Sequence, residues 1–363
     1  MDDIDRILRD RIIGSLYGGA CGDALGYPVE FMYEDMIFGR YGSEGISSLG
    51  QAGTPALFSD DTQMSLFCAN ALISGAGAWR AYREWYATQG HENISEAKDP
   101  LCWIYSLKDL HSSRSPGNTC MSALAGNDPG TPDRPLNSSK GCGTVMRAAP
   151  YGLMLGCDTS DLNRAAMEVS DAAMLDGALT HGHILGYASS SALAVILWYI
   201  LRVKTDRQGS MSEAAAEALK YLPESVSAVK PYLKKALDIA EDMSIKDIDG
   251  VHMLGEGWVA EEALAIALFS AVRYQDDPKK ALVTAVNHGG DSDSTGAVCG
   301  NMIGAWCGYD AFRKSFDSTG LELEGVIIEI GEDLYRASIC PPLPGEDPEW
   351  DRKYRRLNKE GQY

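Results

Sequence analysis

Apolar residues recur three and four positions apart in residues 4–25, 61–74, 79–89, 161–175, 184–203, 212–221, 226–242, 258–274, 278–287, 294–307 and 321–336, the spacing of an amphipathic or buried helix. Period-two alternation is scarce. The segment 212–221 is also rich in strong helix formers. The pattern predicts an all-α fold, with one compact multi-helix domain over residues 1–340. Residues 341–363, Pro-rich and then charged, read as a C-terminal tail that wraps the surface or frays. Gly, Pro, Ser and Asn cluster in 27–59 and 111–147, which are too long to be mere connectors and are expected to carry function. The cluster at 204–211 reads as an exposed turn. No short-period repeat or low-complexity linker divides the chain.

Two of the predicted helices share a further pattern. Glycines fall four apart at 14, 18, 22 and 26, and again at 296, 300, 304 and 308. Each glycine weakens a helix by about 1 kcal/mol relative to alanine. Close backbone packing would offset that cost, so the two segments are expected at the centre of the fold, against each other with their i±4 ridges engaged. Accidental spacing in a chain rich in small residues is the alternative.

Composition narrows the function. With 363 residues, 45% hydrophobic and 23% charged, the chain has ordinary globular make-up and length for a large core. A formal charge of −19 argues against a basic patch for phosphate backbones or anionic membranes and keeps the protein soluble. Nucleic acid is therefore not expected as a general partner. The nine cysteines are odd in number, scattered and mostly set in apolar text, and read as buried reduced thiols. No Cys-x-x-Cys pair occurs, and the close histidine pair His181/His183 gives no zinc spacing. The N-terminus is acidic where a signal peptide is basic. No apolar run reaches about 18 residues without polar interruption, so no membrane span is expected and the cytoplasm is the expected location.

Three acidic constellations carry the candidate chemistry. Ser59-Asp60-Asp61-Thr62 precedes an amphipathic run; taken alone it is a helix cap, with oxygens and negative charge matched to free N–H groups. Asp291-Ser292-Asp293-Ser294-Thr295 follows a Gly289-Gly290 turn and supplies more oxygen ligands than one cap needs. Hard cations such as Mg²⁺ take such donors without histidine or cysteine. If the glycine-ridged core brings 59–61 beside 291–294, four carboxylates can share two dications. The third is Gly22-Asp23-Ala24-Leu25-Gly26 followed by Tyr27-Pro28-Val29-Glu30-Phe31. Glu30 lies at a turn between apolar neighbours, either as a surface residue or buried in a catalytic or metal-facing role. Asp23 is read as making a structural hydrogen bond.

These motifs, with Gly141-Cys142-Gly143-Thr144-Val145-Met146-Arg147 and Leu179-Thr180-His181-Gly182-His183, occur in the order found in the ADP-ribosylglycohydrolases. The chain resembles that family over about residues 10–340. The resemblance implies an all-helical fold, two Mg²⁺ or Mn²⁺ ions and cleavage of the bond between ADP-ribose and its acceptor. It implies Ser59, Asp60 and Asp61 as one set of metal ligands and Asp291, Asp293 and Ser294 as the other, serine standing where threonine is usual. Glu30, Asp61 and Asp291 are the implied catalytic residues, Glu30 matching a mobile-loop glutamate. Asn118, Ser139, Gly141, Cys142, Gly143 and His181 match the substrate-binding positions; His181 is equally readable as a satisfied core histidine. Cys142 stands where many relatives have asparagine, and Ser115 lies near a position where arginine-specific bacterial members can carry aspartate.

The expected partner is an ADP-ribosylated protein or an ADP-ribosyl small molecule. ADP-ribosyl-arginine is the favoured acceptor linkage, with serine, a nucleic-acid adduct and O-acetyl-ADP-ribose as alternatives. An immunity protein against an ADP-ribosylating toxin and a metal-dependent phosphohydrolase are the other readings of the same residues.

Overall fold

The protein is described by a computed structural model covering residues 3–203 and 209–355. Among these residues ten helices reach nine residues or more: α1 (Asp3–Gly26), α2 (Asp60–Ser74), α3 (Ala78–Thr88), α4 (Leu162–Ala178), α5 (Ile184–Trp198), α6 (Lys230–Glu241), α7 (Ala260–Arg273), α8 (Pro278–Val286), α9 (Ser292–Cys307) and α10 (Glu324–Ile339). No strand forms among them; extended pairing is limited to isolated bridges. The all-α expectation holds, and most predicted segments match a helix to within two or three residues. Exceptions have local causes. The 226–242 segment opens as a tighter turn, Glu224–Val229, and becomes α-helical where Pro231 can occupy the first turn. The 258–274 segment starts late because Val259 stays extended, bridging Gly141, and Trp258 lies in a bend. Leu321 bridges Ala56, which delays α10.

The two glycine series meet as expected. An added Cβ would stand 2.6 Å from the Gly304 carbonyl oxygen at Gly14, 2.4 Å from that of Gly300 at Gly18, 2.0 Å from that of Gly296 at Gly22 and 2.2 Å from that of Ser292 at Gly26. Partner numbers fall as α1 numbers rise, so α1 and α9 run antiparallel in backbone contact. Gly308 is the exception: with φ +84 it ends α9 and faces Asp10. Ser15 donates to the Asn301 carbonyl and the Asn301 amide to that of Ser15, each at 2.9 Å. These two bonds satisfy polar groups that such close packing removes from water.

Helix α5 continues as a wider turn, Tyr199–Val203, and Ile184–Val203 is long and apolar enough to cross a membrane by length and composition. Here it is a core helix, mostly buried. The tail does not fray as far as Arg355. Its helix Pro348–Tyr354 buries Trp350 and Tyr354, and the Tyr354 hydroxyl donates to Asp333 at 2.8 Å. Residues 356–363, and 204–208 of the expected turn, lie outside the described residues. The cysteine reading holds in part: none of the nine is in a disulfide and five are buried, but Cys142 and Cys307 are half-buried and Cys157 and Cys340 exposed.

Candidate active site

The antiparallel register places the C-terminal end of α1 beside the N-terminal end of α9, and α2 starts against both. Asp23, near the end of α1, is the clip: one carboxylate oxygen accepts from the Ser59 N–H at 2.8 Å, the other from the Thr62 N–H at 2.9 Å and the Thr62 hydroxyl at 2.5 Å. The structural role read for Asp23 is thus met. Ser59 caps α2, accepting from the Asp61 N–H, and its hydroxyl reaches Asp293. Asp291 caps α9 through the Ser294 N–H. The capping and cluster readings are both realised, because the cap residues of two helices face one another.

Asp23, Glu30, Asp60, Asp61, Asp291 and Asp293 form one buried group of carboxylates. Burial, and next the charge of Asp293, push Asp23 up to about 7 and Glu30 up to about 10. The same two causes hold Asp60, Asp61 and Asp291 well above the usual carboxylate range. Asp293 is raised by burial while the Asp291 carboxyl donates to it. The neighbouring guanidinium, Arg114, is bound to Glu322. Asp61 Oδ2 and Glu30 Oε2 are buried with no hydrogen-bond partner. Protons or cations must balance such a group. By donor type and by charge it suits hard divalent ions. By position, among the described residues no three His, Cys, Asp or Glu side chains already converge on one point. The carboxylates lean instead on N–H, hydroxyl and thiol neighbours, from which an ion would have to draw them.

Glu30 follows the tight turn Tyr27–Val29 and is 7% exposed. Its apolar neighbour Phe31 is 73% exposed and stacks on Trp258 with centroids 5.8 Å apart. Ser115 hydrogen-bonds Glu30 from a left-handed backbone, φ +54, a conformation rare outside glycine and frequent where geometry serves a site. The sequence reading gave Ser115 no role. Asn118 opens a short helix, Asn118–Leu124, and is exposed; the adjacent Thr119 hydroxyl meets that of Ser139 at 2.9 Å.

In the 139–143 loop several amides are already engaged. Gly141 N–H donates to the Ser139 hydroxyl at 3.3 Å and Cys142 N–H to the Trp258 carbonyl at 3.2 Å. Both N–H groups are thus engaged within the protein. The Cys142 thiol instead donates to Asp291, joining the loop to the carboxylates. His181 is 1% exposed behind this loop. Its Nδ1 is 2.9 Å from the Thr180 hydroxyl, and a Cβ on Gly141 would lie 3.2 Å from its Nε2. The ring is satisfied at Nδ1, as the core reading expects, and turns Nε2 towards the loop.

A sequence model described as ADP-ribosylglycohydrolase matches residues 5–341. The chain belongs to the ADP-ribosylglycohydrolase family. It is a glycohydrolase acting on ADP-ribose linkages. Among its relatives is the uncharacterized protein YegU of Escherichia coli (strain K12), 25% identical over 335 residues, 87% of this chain and 92% of that one. The ADP-ribosyl-[dinitrogen reductase] glycohydrolase of Rhodospirillum rubrum is 24% identical over 307 residues, 84% and 87% of the two chains. The ADP-ribosylhydrolase ARH3 of Bos taurus is 25% identical over 322 residues, 80% and 82%. A solved chain of an ADP-ribosylglycohydrolase-related protein complex superposes with a TM-score of 0.57 at 23% identity, covering 92% of this chain and 100% of that one, which supports the fold alone. In this ADP-ribosylglycohydrolase the residues that sequence reasoning passed over are Ser115, Trp258 and Arg147. Arg147 had a signal: a lone arginine in the apolar text Val145-Met146-Arg147-Ala148-Ala149 needs a buried partner, which is Asp176 at 3.1 Å.

Proposed function

We propose that this ADP-ribosylglycohydrolase hydrolyses ADP-ribosyl-arginine on protein, with two Mg²⁺ or Mn²⁺ ions held by Ser59, Asp60 and Asp61 on one side and Asp291, Asp293 and Ser294 on the other. The observation that carries the reading is the buried carboxylate group with two unpartnered oxygens, which needs cations to ionise. Bound there, hard divalent ions would supply Lewis-acid stabilisation of developing negative charge. Glu30 holds a proton at neutral pH, because burial and then Asp293 and Asp291 raise its carboxyl; its unpartnered Oε2 is the atom placed to give up or take back a proton as the acceptor leaves. Arginine is favoured as acceptor by charge. The guanidinium of an arginine adduct stays charged, and the exposed Glu256 flanks Asp291, whose N–H its carbonyl accepts at 2.8 Å, on a protein that carries −19.

The test is ADP-ribose release from matched arginine-, serine- and nucleic-acid-linked substrates, with Mg²⁺ and with chelator. Release from the arginine adduct that stops with chelator is the expected result. Release of phosphate in place of ADP-ribose, or release that ignores chelation, overturns the reading.

Stability offers a second measurement. Asp23 and Glu30 have folded pKa values raised above 3.8 and 4.5, so their contribution is present at low pH and is lost as pH rises through about 7 and towards about 10. The imidazoles of His181 and His288 act oppositely. Their folded values are depressed to about 3 and about 4, so they remove stability only as pH falls below 6.5. Buried thiols enter above 9.0. Between about pH 6.5 and about pH 8.5 the carboxylates govern. Without divalent ions the melting temperature is expected to fall by several degrees across that window. Added Mg²⁺ should raise it more at the upper end, since ions replace the protons; a gain equal at both ends would count against carboxylate ligation.

A further inference from the structure

Arg147 lies at the centre of a buried network behind the 139–143 loop that the chemistry above leaves unused. Its guanidinium donates to the Asp176 carboxylate at 3.1 Å and carbonyl at 3.2 Å. It also lies 4.3 Å from the ring centre of Tyr82. The hydroxyls of Tyr82 and Tyr151 donate to the other Asp176 oxygen at 2.8 and 3.0 Å. Two further bonds point towards the site: Nη1 to the Gly143 carbonyl at 2.8 Å and Nη2 to the Thr180 hydroxyl at 3.0 Å. That hydroxyl is the partner of His181 Nδ1.

The hydroxyl has one proton and two lone pairs, and arginine can only donate to it. Its proton is left for His181 Nδ1 or for the neighbouring Cys120 sulfur. Sulfur is the weaker acceptor, so the proton goes to Nδ1. The guanidinium charge on that side acts in the same sense, attracting the Nδ1 lone pair and opposing an N–H there. Both effects put the ring proton on Nε2, the nitrogen that faces Gly141. Burial, and next the Arg147 charge, push the imidazole down to about 3, so the ring stays neutral and keeps that single proton.

We propose that Arg147 and Thr180 are positioning residues that lock His181 in the Nε2–H tautomer, making it a standing hydrogen-bond donor towards the 139–143 loop. Its bearing on the ligand rests on the substrate-binding role that the resemblance implies for Ser139, Gly141, Cys142, Gly143 and His181. The lock itself rests only on the buried network.

The tautomer is read by long-range ¹H–¹⁵N NMR of the full chain labelled in its six histidines, with His181 assigned from a His181→Asn sample. The expected result is an unprotonated Nδ1 and a protonated Nε2, with no substitution required. Thr180→Val should shift the proton towards Nδ1 and weaken ADP-ribose binding by about tenfold or more. Thr180→Ser, which keeps the hydroxyl, should restore both. A protonated Nδ1 in the unaltered protein overturns the lock, and a folded Thr180→Val that keeps the Nε2–H tautomer overturns the part assigned to Thr180. Wild-type ADP-ribose affinity in His181→Ala overturns the ligand half together with the loop reading, and the tautomer measurement then separates that failure from failure of the lock.

Discussion

Asp291→Asn is expected to leave a folded protein whose ADP-ribose release falls on the order of a thousandfold or more at saturating Mg²⁺. The substitution keeps shape and the oxygen that accepts from the Ser294 N–H, so the cap on α9 survives. What it removes is a negative charge at the point where α9 faces α2 and the loop bearing Cys142. Without divalent ions the variant should be no less stable than the parent near pH 8, because the parent must either hold a proton on Asp291 or bear its repulsion from Asp293. Turnover and melting temperature on the same preparation check both halves. Undiminished turnover would remove Asp291 from the catalytic group, and collapse of the fold would reduce it to a cap.

Gly300→Val should cost at least about 3 kcal/mol and in practice prevent accumulation of folded protein. The first added carbon would lie 1.9 Å from the Gly18 carbonyl oxygen, a backbone atom that cannot turn aside. Relief requires α1 and α9 to separate, which also moves Asp23 from Asp293. Gly39→Ala is the matched control. It lies in the helix Glu34–Tyr41 with nothing within 4 Å of the added carbon, and should be neutral or stabilising by up to about 1 kcal/mol. Soluble expression and thermal melts separate the two; a Gly300→Val protein that melts with the parent would contradict the backbone contact.

The helices and the glycine contact were legible because each leaves a periodic trace that local sequence alone must satisfy. Helix starts at Ser59 and Asp291 were legible for the same reason, since a cap is a local event. What escaped notice depends on partners far away in sequence. Val259 has helical surroundings, yet pairing with Gly141 keeps it extended, and the Trp258 carbonyl before it accepts from the Cys142 N–H. The left-handed backbone of Ser115 has no compositional signature. Short helices such as Glu34–Tyr41 and Asp247–Leu254 sit in text whose glycines and charges read as loop or connector. The burial of Glu30 stayed open in the sequence because neighbouring apolar residues in a turn point in different directions, Val29 inward and Phe31 onto Trp258.

The hydrogen bonds between Ser15 and Asn301 join residues 286 positions apart, and this has a consequence for how the enzyme is made. Helix α1 leaves the ribosome long before its partner α9 does. Until then its glycine face, which no side chains cover, has nothing to pack against. Contacts of such sequence separation form late and slowly, so the earlier helices must hold the nascent chain in order without the central pair. Catalytic competence should therefore appear in one step, when residues 292–307 emerge, and fragments ending before them should carry none of it.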